Sequence, residues 1–277
     1  MTGAGDITSA LFPDEAGIWA GKIGPFVIKT TYRPVFRFDD GHLHITGMRG
    51  DARFTLAGQA VGPAAVEQLP AQERRFVSEL VCALAALNRG NVGADCAFVT
   101  TPLANAGNFD SGGLRAMLEL RETAPALHDH EAADLLCDLP CDAEAGRIAR
   151  YAEACRSNGI GILLRGFAGS PEAVECARAT RPEVVDIDPD WLFRATRLSR
   201  AADLLPSLFR SLRSAGATVH VGGIAKLPQI EGALRCGANL VSGSLLAQPA
   251  LAGALVDASP RPLDMSLGRA GPATLFG

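Results

Sequence analysis

From Ala145 onward the chain repeats a single kind of unit: a short β-branched strand, a tight turn and an amphipathic helix. Ala145 to Cys155 carries Ile148, Ala152 and Cys155 on one stripe, and Asn158-Gly159 ends that helix. Ile160 to Leu164 follows as a strand. Ser170 caps the next helix, with Pro171 at its first position. Glu183 to Ile187 is a strand, and Leu198 to Leu212 a helix with Leu204, Leu205, Leu208 and Leu212 inward. Thr218 to Val221, Pro228 to Cys236 and Leu240 to Ser242 complete the series. Helices alternating with strands of this size cover a parallel sheet. With this many units, the closed (β/α)8 barrel is the economical architecture.

The first half reads differently. Phe26-Val27-Ile28 and Tyr32 to Phe36 are strand-like, and Asp39-Asp40-Gly41 is a hairpin turn before His42 to Thr46. Gln72 to Leu87 is a helix with Phe76, Leu80, Leu84 and Leu87 on one face, and Ala97 to Thr100 is a short buried strand. The organisation expected is a loosely ordered lead-in over 1–25, one barrel domain over 26–255, and a tail over 256–277.

Hydrophobic residues make up 48% and charged residues 20% of the 277-residue chain, enough for a packed core and too apolar for disorder. A net charge of −4 gives no electrostatic reason to bind nucleic acid or an anionic membrane. No stretch reaches the roughly 18 to 20 apolar residues of a membrane span. Seven scattered cysteines point to buried, reduced thiols in a cytoplasmic protein rather than to a disulfide framework.

Four short segments carry a resemblance. They are Leu164-Arg165-Gly166-Phe167-Ala168-Gly169, Val185-Asp186-Ile187-Asp188, Val221-Gly222-Gly223-Ile224-Ala225 and Ser242-Gly243-Ser244-Leu245. They resemble degenerate forms of the DDFGTG, KID, AEGVE and QGYL signatures of EAL domains, a family that hydrolyses the bacterial messenger cyclic di-GMP. The intervals Arg165 to Asp186, Asp186 to Gly222 and Gly222 to Ser242 are 21, 36 and 20 residues, in step with the family. Earlier in the chain, Tyr32-Arg33-Pro34-Val35 resembles the YQPI opening, which sets Gly47 to Asp51 at the EALLR motif. Val99-Thr100-Thr101 falls at the VNLS strand, and Leu136 to Cys141 near EITE.

The resemblance implies a two-metal phosphodiesterase site from which the ligands are missing. Two hard dications need carboxylate oxygens to activate water and hold the leaving oxygen. Here the expected ligand positions read Gly47, Thr100, Asp138, Arg165, Gly166 and Gly222, with Ala225 at the final glutamate. The family's lysine is Asp186. An Arg165–Asp186 or Arg165–Asp138 ion pair is expected where metal would sit. The alternative is two solvated charges at the mouth.

The implied protein is a single-domain EAL-type (β/α)8 barrel without activity, metal or cofactor. It would serve as a cytoplasmic regulatory module in bacterial signalling that binds an unidentified protein partner, with a homodimer in keeping with family habit. A second reading is a receptor that binds cyclic di-GMP without cutting it, through Arg33, Arg49 and Arg165. A third is a metabolic barrel enzyme holding phosphate on the Gly222-Gly223 and Gly243-Ser244 turns, with Gly223 and Ser244 nearest the anion. Glycines needed only for tight turns explain those segments equally well. His128-Asp129-His130-Glu131, Cys137 with Cys141, and the alternating Asp186, Asp188 and Asp190 look like metal sets, but none is complete. Trp191, Leu192 and Phe193 are expected to pack in the barrel wall.

Overall fold

The computed structural model describes residues 7–102 and 134–263. A short helix α1 (Ile7–Ala10) leads into strands β1 (Leu11–Pro13) and β2 (Trp19–Ile23). Two long strands, β3 (Phe26–Asp39) and β4 (His42–Leu56), then form a hairpin. Its tip is Asp40-Gly41, both with positive φ (45° and 77°), as a two-residue turn matched to strand twist requires. Next come β5 (Gln59–Val61), α2 (Pro63–Glu67), α3 (Ala71–Leu87) and β6 (Phe98–Pro102).

The repeated units follow: β7 (Asp134–Pro140), α4 (Ala145–Arg156), β8 (Gly161–Phe167), α5 (Pro171–Thr180), β9 (Val184–Ile187), α6 (Pro189–Ala195), α7 (Ser199–Ser214), β10 (Thr218–Val221), α8 (Leu227–Cys236) and β11 (Leu240–Val241). Two short strands, β12 (Ala250–Leu251) and β13 (Arg261–Pro262), pair with β3 and β4.

Strands β4, β6, β7, β8, β9, β10 and β11 run parallel in that order. Strand β3 lies antiparallel between β11 and β4 and closes the ring. The described residues therefore form a closed eight-strand barrel in which one strand is reversed. Parallel neighbours need the helical crossovers seen after β7, whereas β3 and β4 need only a turn.

Three expectations are corrected. Within the expected lead-in over 1–25, residues 11–13 and 19–23 are built into the sheet: β1 pairs with β2, and β2 with β3. Asn88, fully buried at the end of α3, accepts from Trp19 N–H at 2.8 Å and donates to Trp19 C=O and Thr30 Oγ1, each at 2.8 Å. That side chain replaces a missing strand partner. Leu204 faces outward at 69% exposure, because α7 docks through Leu205, Phe209 and Leu212, a helical stripe that leaves Leu204 to one side. The 256–277 tail starts on the barrel, with Leu263 buried beside β4. The Asn158-Gly159 stop, the Ser170 cap (accepting from Ala173 N–H at 3.2 Å) and the wall positions of Trp191, Leu192 and Phe193 match the sequence reading. No helix among the described residues is long and apolar enough to cross a membrane.

Candidate functional site at the barrel mouth

Side chains alternate across a strand, so a residue two places beyond an inward one is also inward. Val35, Phe98, Leu136, Leu163, Val184 and Leu240 come from six barrel strands and pack into one cluster, which is the apolar plug of the barrel. Two residues further along their parallel strands stand Thr100, Asp138, Arg165, Asp186 and Ser242. His220 joins them as the cross-strand neighbour of Asp186. The polar layer thus lies at the C-terminal ends of the strands, where barrels of this kind place their chemistry.

Arg49 supplies the centre of that layer. Its guanidinium donates to Asp186 Oδ2 at 3.2 Å and reaches Asp138 Oδ2 at 3.4 Å. Arg165 Nε approaches Asp138 Oδ1 at 3.1 Å. That contact is off the hydrogen-bonding line, so Asp138 Oδ1 keeps a charge contact without a hydrogen bond. Asp186 Oδ1 takes His220 Nδ1 at 2.7 Å, and His220 Nε2 meets Ser242 Oγ at 2.9 Å. Both carboxylates are buried, while Arg165 keeps 40% of its side chain exposed. Of the two ion pairs expected from the sequence, Arg165–Asp138 forms; Asp186 instead takes Arg49 and His220.

The two acids respond oppositely to burial. Desolvation raises Asp138 to about 6 despite Arg165 and Arg49 beside it, since its hydrogen bonding is incomplete and Asp186 adds repulsion. Desolvation also acts on Asp186, but His220 and Arg49, both hydrogen-bonded to it, hold it below the ordinary carboxylate value. Arg49 is held charged by the same two acids against its own burial.

A cavity of about 550 Å³ opens above this layer, lined by Arg49, Arg165, Gly166, Asp186, Gly222 and Gly223, with Cys141 and Asp188 on its rim. Gly166 has φ +78° at an irregularity in β8, and its carbonyl accepts from Cys141 Sγ at 2.9 Å. Gly47 is not at the mouth. It sits one layer lower, where a Cβ would overlap the Phe98 ring, and Arg49 takes the inward position above it. Arg33 lies across the hairpin from Arg49 and is half-buried. Ala225 and Ser244 are exposed and outside the cavity lining.

The Gly222-Gly223 and Gly243-Ser244 turns lie against each other. Ile224 N–H donates to Ser242 C=O at 3.0 Å and Leu245 N–H to Ile224 C=O at 3.1 Å. Gly243 has no room for a Cβ against the Ile224 backbone, so close loop packing explains it. Asp188 caps α6 by accepting from Trp191 N–H at 2.7 Å, which separates it from Asp186 in role. Cys137 is buried among Cys82 and Cys155, away from Cys141 at the mouth. The His128 to Glu131 segment lies outside the described residues.

The sequence reading missed His220 and Ser242. The signal was present: single polar residues in Val219-His220-Val221 and Val241-Ser242, in the same alternation as Asp186 in Val185-Asp186-Ile187.

A closed barrel with one reversed strand and its polar residues at the C-terminal mouth defines a particular class of α/β barrel. Comparison with solved structures identifies it: the chain has the fold of EAL domains. The FimX EAL domain from Pseudomonas aeruginosa, bound to c-di-GMP, superposes with a TM-score of 0.60 at 15% identity, covering 80% of this chain and 90% of that one. The PaMucR phosphodiesterase, in a c-di-GMP complex, gives 0.63 at 17%, covering 80% and 91%. The Bacillus subtilis YkuI protein, with an EAL domain in complex with substrate c-di-GMP and calcium, gives 0.63 at 17%, covering 83% of this chain and 57% of that one. No family model matches the sequence. No curated protein matches it either.

The residues at this mouth do not fit a pair of hard metal ions. The two carboxylates of the inner layer, Asp138 and Asp186, each already hold a guanidinium, Asp188 on the cavity wall caps α6, and two arginines bring positive charge to the place a dication would need. Thr100 Oγ1 is a further oxygen without a hydrogen-bond partner, but it is neutral. Among the described residues, no group of three or more His, Cys, Asp or Glu side chains is placed to hold a metal ion.

Proposed function

We propose that this barrel has lost metal-dependent phosphodiester hydrolysis and serves as a regulatory module in cyclic di-GMP signalling, acting through a protein partner. The observation that supports it is Arg49, whose guanidinium bridges Asp138 and Asp186 and places a positive charge where a metal would otherwise stand. A site closed by its own cation has no demand for another. Gly222 and Ala225 offer no side-chain donor, and Arg165 is of the wrong sign.

A second reading is a receptor that binds cyclic di-GMP uncut. The cavity and the half-exposed Arg165 favour it, because an arginine fork suits a phosphate. Asp186 on the cavity wall opposes it, by placing an anion where the ligand is anionic.

Calorimetric titration of cyclic di-GMP with and without Mn²⁺, followed by assay for the linear product, separates these readings. No heat and no product supports the partner-binding module. Heat without product moves the assignment to the receptor, and Mn²⁺-dependent product refutes the loss of hydrolysis.

A further inference from the structure

Ser242, His220 and Asp186 stand on three neighbouring strand ends in the order a serine nucleophile requires. Asp186 is ionised and can only accept, so His220 Nδ1 must carry the proton in the 2.7 Å contact to Asp186 Oδ1. In the neutral ring Nε2 is then a bare acceptor. With the ring neutral, the 2.9 Å contact to it is a hydrogen bond donated by Ser242 O–H. The tautomer is therefore fixed by the acid rather than chosen. Arg49 keeps that acid charged from its other oxygen.

Access is through Gly222. The three side chains are almost fully buried, with Ser242 and His220 at 2% exposure, but Gly222 lies over all three and lines the cavity. A Cβ placed on Gly222 would stand 3.4 Å from His220 Cε1, 3.6 Å from Asp186 Oδ1 and 3.7 Å from Ser242 Oγ. The absence of a side chain at Gly222, on the cavity wall, leaves room for one carbon atom in ordinary contact with all three. The N–H groups of Gly222 and Gly223 donate no hydrogen bond among the described residues.

We infer that Ser242–His220–Asp186 is an acyl-transfer site for small esters entering from the barrel mouth. Ser242 Oγ attacks the ester carbonyl carbon as His220 Nε2 takes the hydroxyl proton. The tetrahedral adduct collapses by breaking the bond to the alcohol oxygen, which leaves with that proton. Water, deprotonated by His220 in turn, attacks the acyl-serine and releases the acid, and the serine oxygen recovers the proton. The reaction needs no metal and is separate from phosphodiester chemistry, so it stands or falls apart from the proposed signalling role.

The test uses the full chain with p-nitrophenyl acetate as ester and a fluorophosphonate as covalent probe, read by intact mass and peptide mapping. The expected result is one phosphonyl group on Ser242 and ester hydrolysis above a denatured control. Ser242→Ala should abolish labelling, and His220→Ala should slow it on the order of 10²-fold, the usual contribution of a general base. Gly222→Val, which leaves the three residues intact, should block labelling while circular dichroism stays unchanged. No label on the folded natural protein, or a label that survives Ser242→Ala, would overturn the assignment and leave the chain as a tie between β9, β10 and β11.

Discussion

Replacing Asp138 with Asn tests whether the mouth is held by a well-satisfied ion pair or by a carboxylate under electrostatic tension. In the unfolded chain Asp138 titrates near the ordinary 3.8, and in the fold near about 6. The folded state therefore binds the proton more tightly. Below 3.8 both states are protonated and there is no difference; between the two values only the folded state keeps the proton; above about 6 neither does. Stability from this group is present at low pH and is lost as pH rises through that window. At about 1.4 kcal/mol per pKa unit, the full change is about 3 kcal/mol, an upper figure for a site that can relax. Asn imitates the protonated acid and cannot titrate. Urea denaturation at pH 4 and pH 8 should show the stability gap between Asp138→Asn and the natural chain moving by about 2 kcal/mol in favour of the variant as pH rises, most of the full change. A gap that does not change with pH would mean that Arg49 and Arg165 satisfy Asp138 fully, and the reasoning about its unmet oxygen would be wrong.

Asp186→Asn should do the opposite: it leaves Arg49 and His220 Nδ1 short of their acceptor, and a loss of about 3 to 5 kcal/mol in denaturant titration at pH 7 is expected. Because its folded pKa is lowered, the natural chain should keep that contribution at neutral pH and lose it only on acidification. Asn88→Ala should cost about 2 to 3 kcal/mol by leaving Trp19 and Thr30 groups unpaired, with faster hydrogen exchange in 11–23 than in the barrel strands as the local signature. Millimolar Mn²⁺ should leave the thermal midpoint of the natural chain unchanged; a clear rise would show the two acids leaving Arg49 for a metal. Leu204→Glu should alter stability by less than about 0.5 kcal/mol, since the side chain already faces solvent.

The barrel was legible because its second half obeys local rules. Ser170-Pro171 starts a helix and Asn158-Gly159 ends one whatever lies around them, and the βα alternation leaves few topologies. The site was half legible. Arg165 and Asp186 could be placed by motif spacing and Asp138 by its place near the EITE-like segment, and the structure brings all three to one mouth. Arg49 could not be ranked above Gly47, because both face inward and only the register of β4 against β6 sets which layer each reaches. His220 carried only a weak mark, one polar residue between two valines. The lead-in was misread because its order comes from Asn88, sixty-nine residues beyond Trp19 in the chain, and long-range satisfaction leaves no local mark.

That bulge has a consequence for how such a mouth can change. Val35 pairs with Gly47 but Phe36 with Ile45, so Thr46 is an extra residue on β4. Every side chain after it is half a pleat out of phase with those before. If β4 beyond Thr46 slipped by one residue against β3 and β6, Met48 would turn into the mouth. Arg49 would turn outward into the pocket where Met48 now packs against Tyr32, Val92 and Val99. The sign of the charge between Asp138 and Asp186 is thus written in the register of β4, and a one-residue slip there would reverse it with every motif left intact.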